Sequence, residues 1–428
     1  MYSYDSRYHV NLSFRRDGSS VFGSERKWGN FPAVGLAWSV SNEKFMQKFT
    51  KVDDLKLKLS WGINGSQTLN PYGTLSQLQL GRGTSSSTNY GINTGEGVAY
   101  SQFVSVIGNQ DLGWQSTESI NGGFEGTFFR RCLSVDVNAY FSKTTDQIFN
   151  RTIPIMGAGV NSQQATMGQV NNWGVEAIVN TTNIQKKDFN WTSQLTFNMN
   201  RNKLVHLWGG DNEEDDLTNG LFIGQSLDVI WWYDQQGVVQ ETGKGSLPTT
   251  QAGWGDVIDQ DGNGVLDNND KIFLGNRKEN FRISFANTLN YKKFQLYFMF
   301  TGTFGGGGYA RDNNTFAYYT HYGFAYANAI EMPYWTPYNH STTHVSPQST
   351  DQEKTWMVYN SYGNVRLQNL SLSYDLSNLV KGWGVKGARF SVSGQNLFYI
   401  APFWKLSDPD ARGRQGMLMK TFTVGFNF

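Results

Sequence analysis

The sequence predicts an all-β chain, an antiparallel transmembrane β-barrel with about 12 strands present, and three observations predict it. Apolar and polar residues alternate with a period of two through segment after segment, which is the pattern of a strand with one apolar and one polar face. The connections between those segments alternate in length, short then long, along the whole chain. Composition fits the same class. Aromatic residues make up 15% of the 428 residues and glycine reaches 47 against 9 proline, while charged residues are only 17%, below the roughly 25% of a typical soluble domain.

In chain order, Tyr8, Val10, Leu12 and Phe14 alternate with His9, Asn11, Ser13 and Arg15 and give the first strand. Val34, Leu36, Trp38 and Val40 give the second. Leu55, Leu57, Leu59 and Trp61 interleave with Lys56, Lys58 and Ser60, and a polar lumen can hydrate that charged face as well as bulk water does. Strands follow near 114–129, 133–149 and 171–183. The clearest runs over 189–200, with Phe189, Trp191, Leu195, Phe197 and Met199 on one parity and Asn190, Thr192, Gln194, Thr196, Asn198 and Asn200 on the other. Phe281 to Tyr291 and Phe294 to Phe300 read as a hairpin turned at Lys292-Lys293. Segments 365–376, 388–400 and 417–428 complete the set, the last placing Phe422, Val424, Phe426 and Phe428 on one face.

Short joins fall at about 42–54, 130–132, 184–188, 292–293 and 377–387. Long ones fall at about 17–30, 65–113, 150–170, 204–279, 305–363 and 401–416. Sorting loop length by side is the arrangement of short periplasmic turns and long extracellular loops, whereas a sandwich gives no reason for it and rarely carries structureless stretches this long. No run approaches the ~18 apolar residues of a membrane helix, which does not count against a barrel. The start, MYSYDSRYHV, has no basic region followed by an apolar core and so is not a signal peptide. Thirty-six Lys and Arg against 35 Asp and Glu leave a net charge of +1 with no basic stripe to track a phosphate backbone, which argues against nucleic acid. The single cysteine, Cys132, excludes an internal disulfide and a thiolate zinc site.

Several phrases together resemble the SusC/RagA-type TonB-dependent outer-membrane transporters, over essentially the whole chain. They are Arg16-Asp17-Gly18-Ser19-Ser20-Val21-Phe22-Gly23 with Trp28-Gly29 and Phe31-Pro32, then Trp61-Gly62-Ile63-Asn64-Gly65-Ser66-Gln67, and Asn172-Trp173-Gly174-Val175-Glu176. After these come the Asp/Gly-rich loop 259–270, Tyr334-Trp335-Thr336-Pro337, and Gly394-Gln395-Asn396-Leu397-Phe398 followed by Asp408-Pro409-Asp410. An aromatic carboxyl terminus also resembles outer-membrane barrels, although Gly425 lies nearer the end than the usual assembly signal has it. The resemblance implies a bacterial outer-membrane location and a barrel of about 22 strands plugged by an amino-terminal domain. It further implies a SusD-like surface lipoprotein as lid, the TonB complex as energy source, lipid around the barrel, and an oligosaccharide or peptide as ligand. With no plug and no TonB box in the sequence, residues 1–428 are expected to be the carboxyl-terminal part of such a barrel.

The sharpest local motif is Asp259-Gln260-Asp261-Gly262-Asn263-Gly264-Val265-Leu266-Asp267-Asn268-Asn269-Asp270. Oxygen side chains at loop positions 1, 3, 5, 9 and 12, with Gly at 6, have the spacing of an EF-hand calcium loop. The expected donors to a structural Ca²⁺ are Asp259, Asp261, Asn263, the Val265 carbonyl, Asp267 and Asp270. Position 12 is Asp where a bidentate Glu usually sits, and Gly275 leaves no room for a long exiting helix. The bland alternative is a polar turn that favours Asp, Asn and Gly. Aromatic residues crowd the loops, Phe316 to Tyr338 and Trp231-Trp232-Tyr233, where sugar stacking and plain loop packing compete. Gly305 to Gly308 opens no helix and lacks Lys-Ser/Thr, so it reads as a flexible start of a loop rather than a phosphate cradle. His340 and His344 lack the Glu of a zinc protease helix, and no nucleophile elbow is present, so no enzyme is expected. Two further functions compete with import: a secreted or surface calcium-stabilised β-protein binding glycans, and a glycoside hydrolase, which needs two carboxylates about 5–10 Å apart.

Overall fold

The computed structural model describes residues 1–80, 102–153, 162–166, 168–207, 213–309, 333–346, 359–380, 387–404, 408–411 and 418–427. Thirteen strands form one antiparallel sheet in which chain order is sheet order. They are β1 Tyr2–Tyr4, β2 Tyr8–Gly18, β3 Trp28–Ser39, β4 Val52–Ser66, β5 Gln115–Phe128, β6 Leu133–Thr145 and β7 Gln169–Gln185. The rest are β8 Phe189–His206, β9 Phe281–Tyr291, β10 Phe294–Phe304, β11 Asn364–Asp375, β12 Arg389–Ile400 and β13 Thr421–Asn427. The expected strands are all present. The thirteenth is β1, which pairs Tyr4 with Tyr8 and Tyr2 with Val10. Its turn uses Asp5 and Ser6 at φ of 49 and 50, a left-handed conformation that gives no Gly signal in the sequence.

Period two fixes the faces. Across β8, β9 and β10, Leu195 lies opposite Phe285 and Phe285 opposite Phe300, so one face carries an apolar band. The other face is polar and internally bonded: Asn198 donates to Glu176 at 3.0 Å, Gln194 to Asn180 at 2.9 Å and Gln295 to Asn290 at 3.0 Å. Leu59, Leu195, Phe285, Leu372 and Val392, drawn from five strands, stay 40–49% exposed. Among the described residues no second protein layer covers them. Large apolar side chains left open on strand after strand are what soluble monomers avoid, and lipid is the solvent that suits them.

The turns on the short side are tight. Tyr291 pairs with Phe294 around Lys292 at φ 55, while Phe129, Arg130 and Arg131 lie at 56 to 64. The longer join between β3 and β4 is shaped by 3-10 turns, and there the buried Glu43 accepts from Tyr8 Oη at 2.6 Å, Trp38 Nε1 at 3.1 Å and Arg7 Nη1 at 3.0 Å. These donors, Tyr8 first, hold its carboxyl below the ordinary range.

The long connections carry structure of their own, which the sequence reading left out. Two-stranded ladders join 77–80 with 102–106, 148–152 with 162–166, 229–233 with 271–276, 235–238 with 255–257 and 307–309 with 359–361. Such strands are too short to show a period. By contacts the chain divides into two compact units, the first Met1–Gly126, Val137–Val175 and Arg201–Leu227, the second Thr127–Asp136, Glu176–Asn200 and Asp228–Phe428. The first has two small cores, one of Phe22, Leu69 and Leu112, the other of Val170, Leu204 and Leu207. Among the described residues the second has one of Tyr233, Leu247 and Val257.

The two faces make opposite demands on a charge. Phe197→Arg should cost about 2–4 kcal/mol if the site lies near the midplane, whereas Arg in place of Asn198 would still face Glu176 and should be nearly silent. Urea unfolding of the protein folded into lipid vesicles measures both, and equal costs would mean that the faces are assigned wrongly.

Candidate functional site

The acidic loop lies in the connection between β8 and β9, within the second unit. It is held between the strand 255–257 and the strand 271–276, and Leu266 packs on the Tyr233–Leu247–Val257 core. Short polar side chains fold the loop by capturing neighbouring backbone N–H groups. Asp259 accepts from Gly262 N at 2.7 Å and Gly264 N at 2.8 Å, Asp261 from Asn263 N at 3.1 Å, and Asn263 Oδ1 from Val265 N at 2.6 Å. Asp267 caps the 3-10 turn Asn268–Asp270, accepting from Asn269 N at 2.7 Å, while Asp270 reaches back to Asp267 N at 2.8 Å. Gly264, at φ +77, makes the sharp bend expected at position 6.

Of the six expected donors, the structure brings three carboxylates together. One oxygen each of Asp259, Asp261 and Asp270 lies within 4.8 Å of the others. Two oxygens bound at 2.3–2.6 Å to one Ca²⁺ can be at most about 5 Å apart, so the spread fits a shared hard cation. Asn263 and Asp267 spend oxygens on the loop's own turns, and Val265 is exposed. Asp270 is fully buried with both oxygens engaged, Oδ1 accepting from Gln260 N at 2.8 Å. A strand, not a helix, leaves the loop at Lys271, as Gly275 led us to expect.

The backbone N–H of Gly264 above all holds the Asp259 carboxyl below its ordinary value; burial opposes it, and the Gly262 N–H adds to the lowering. A depressed folded-state pKa contributes stability that is present above the unfolded value, ~3.9, and is lost as pH falls through the folded one. The next residue to the loop's end supplies a feature that sequence reading missed. Lys271 Nζ sits 4.9, 4.7 and 5.1 Å from the ring centroids of Trp231, Trp232 and Tyr233, so these aromatic residues serve packing and cation–π contact.

Other motifs resolve locally. Trp335 Nε1 donates to Gln240 Oε1 at 3.2 Å, and Tyr338 is 99% exposed; Phe316 to Tyr326 lie outside the described residues. His340 Nε2 bonds the Pro337 carbonyl and His344 Nδ1 bonds Thr343 Oγ1. The glycine run is a close-packed corner rather than the flexible one expected, because a Cβ at Gly306 would meet the backbone of Lys278 and Glu279 at 2.7 Å. The Asp408-Pro409-Asp410 phrase becomes a clamp. Arg366, 1% exposed, bonds Asp408 and, through Nε, Asp410 at 2.7 Å, and its guanidinium lies 4.9 Å from the Tyr399 ring. Trp404 packs on Tyr362 beside it, centroids 4.4 Å apart.

The profile described as TonB dependent receptor-like, beta-barrel matches residues 1–397. The chain belongs to this family. Within it the relatives are of the SusC/RagA type. The chain is 30% identical to TonB-dependent receptor P26 of Formosa agariphila over 440 residues, covering 97% of this chain and 42% of that one. It is 26% identical to TonB-dependent receptor SusC of Bacteroides thetaiotaomicron over 435 residues, covering 96% and 40%. Among solved structures, the RagAB peptide transporter superposes with a TM-score of 0.77 at 23% identity, over 99% of this chain and 46% of that one, a likeness of fold. The chain thus spans less than half the length of these relatives. Membership places this TonB-dependent receptor barrel in the outer membrane and in a transporter family, not an enzyme family, which decides against the secreted β-protein and the glycoside hydrolase.

Acidification tests the reading of Asp259. Protease sensitivity of loop 259–270 should be flat between pH 7 and 5 and should rise only below about pH 4, the ordinary carboxylate value. A rise centred above pH 5 would contradict it.

Proposed function

We propose that residues 1–428 supply the carboxyl-terminal barrel strands of a TonB-dependent importer for oligosaccharides or peptides. The importer works with a SusD-like surface lipoprotein as lid and draws energy from the TonB complex through residues beyond this chain. The family match across residues 1–397 carries the reading. The likeness of fold to the RagAB peptide transporter and the relationship to SusC support it. The barrel part contributes a polar face along which ligand passes and long loops for ligand and lid to contact, so the work is binding and gating without covalent chemistry.

Loop 259–270 is proposed to bind one structural Ca²⁺ on the extracellular side. Asp259, Asp261 and Asp270 form the nucleus of the site, and Asn263, the Val265 carbonyl and Asp267 complete it directly or through water. Oxygen donors of this kind suit a hard cation. Three carboxylates brought this close repel without one, so binding should tighten the loop and leave the membrane strands unchanged. Affinity should be weak, about 10⁻⁴–10⁻³ M as in extracellular modules, because Asp270 already accepts two backbone N–H groups.

Uptake of labelled oligosaccharides and peptides by cells carrying the whole parent protein tests the first proposal. Uptake of one ligand class should disappear when either the parent or TonB is deleted. Uptake of both classes unchanged by either deletion would overturn it. For the loop, millimolar Ca²⁺ should protect it from protease in the wild type but not in the Asp259→Ala, Asp261→Ala double variant. Equal cleavage with and without Ca²⁺ in the wild type would leave a polar turn only.

A further inference from the structure

Three consecutive tight turns of the second unit, 129–132, 186–188 and 292–293, carry Arg130, Arg131, Lys186, Lys187, Lys292 and Lys293 against one carboxylate, Asp188. All six residues are exposed except Lys293, which is half-buried. The turns are fixed to the sheet and to one another by backbone bonds. Thr182 N donates to Cys132 O at 2.8 Å, Lys186 N to Phe189 O at 2.8 Å and Lys292 N to Asp188 O at 2.9 Å. A second carboxylate, Asp375, joins only at the margin, where its N–H donates to Lys293 O at 2.9 Å. At the other end of these strands the sign reverses, with nine carboxylates against four Lys and Arg over 228–279. Crowding like charges on rigid turns is unfavourable in water alone, and an anionic surface opposite them removes the penalty.

The surface just above these turns shows where the hydrocarbon ends. On the lipid-facing parity of β7, Ala177 and Val179 give way to Thr181 and Asn183. These open a hydrogen-bonded polar seam across three strands. Thr181 Oγ1 donates to Asn183 Oδ1 at 2.9 Å, Asn183 Nδ2 to Ser193 Oγ at 2.6 Å, and Ser193 Oγ to Asn287 Oδ1 at 2.7 Å, where Trp191 Nε1 also donates at 2.9 Å. Between seam and turns stand interfacial aromatics, among them Tyr291, whose ring lies 5.5 Å from Lys292 Nζ. Four residues separate Ser193 from the strand's start, about 13 Å of strand before tilt is counted. That brings the turns to the depth of the headgroups, where long basic side chains extend toward phosphate.

We propose that these three turns and the polar seam form a docking surface for anionic phospholipid headgroups in the leaflet that faces the tight turns. The lipid acyl chains run along the apolar face, the accessible end of the seam at Thr181 and Asn183 meets the glycerol and ester region together with Tyr291, and the six cations meet the phosphate and its anionic head, while Asn287, 1% exposed, anchors the seam from within. The inference rests on strand parity and membrane placement. It is independent of what the importer carries, so either can fail without the other.

The test is lipid retention by the delipidated, detergent-purified full chain, read by native mass spectrometry. The probes are phosphatidylglycerol, phosphatidylcholine and inorganic phosphate. Phosphatidylglycerol should bind at least tenfold more tightly than phosphatidylcholine, and equimolar phosphate should not displace it. The variant Lys186→Gln, Lys187→Gln, Lys292→Gln, Lys293→Gln should lose at least tenfold, and Arg130→Gln with Arg131→Gln at least threefold. Lys244→Gln, on the long-loop side, should bind as wild type. Equal binding of the two lipids, displacement by equimolar phosphate, or wild-type retention by both turn variants in their folded, heat-modifiable form would overturn the proposal.

Discussion

Everything in this chain follows from one constraint: in hydrocarbon, a backbone N–H or C=O without a partner has no water to turn to. A sheet satisfies those groups between strands, and the thirteen-stranded ladder does so residue by residue, as in the eleven consecutive pairs from Phe281 opposite Phe304 to Tyr291 opposite Phe294. Once the backbone is committed to the ladder, side chains have only two directions. Leu195, Phe197, Phe285 and Phe300 take the side without water, while Gln194, Asn198 and Gln295 take the other and donate to Asn180, Glu176 and Asn290. The apolar face therefore needs no partner sheet, which is why large aliphatic and aromatic side chains remain uncovered across the middle of the sheet.

Loops on the long side have a different problem, because they must hold shape outside the ladder. They solve it with small ladders, small cores and charge. In the second unit, the core of Tyr233, Leu247 and Val257 supports the acidic loop, and the buried Arg366 ties Asp408 and Asp410 to β11. A buried ion pair is weak grounds for claiming net stability, since desolvation offsets much of the attraction, but removing one partner strands the other charge. Its clear effect is to hold Asp408 and Asp410, which follow β12, against β11.

Strands were legible in the sequence because their period is set by geometry and their faces meet such different solvents. Turn chemistry was less so. Asp5-Ser6 and Phe129-Arg130-Arg131 adopt positive φ without glycine, so β1 gave no hairpin signal, and its three residues are too few for a period. The short ladders inside the long connections escaped for the same reason. At the acidic loop, the spacing predicted the bend at Gly264 and the convergence of Asp259, Asp261 and Asp270. It did not predict that Asn263 and Asp267 bond the loop's own backbone, because a side-chain oxygen that can reach a cation can equally reach an N–H two residues away. The cluster of Lys271 with three aromatic rings depends on pairing between residues about forty apart in sequence, which periodicity cannot report.

The claim on which the account turns is that one parity of the strands faces lipid. Spin labels placed one at a time from Gln194 to Asn200, with Cys132 replaced by Ser, measure it in the bilayer through collision with oxygen, which concentrates in hydrocarbon, and with a water-soluble nickel chelate. The account predicts oxygen maxima at Leu195, Phe197 and Met199 and nickel maxima at Gln194, Thr196 and Asn198, alternating strictly. Accessibility without a period of two, or with the two reagents in phase, would contradict it.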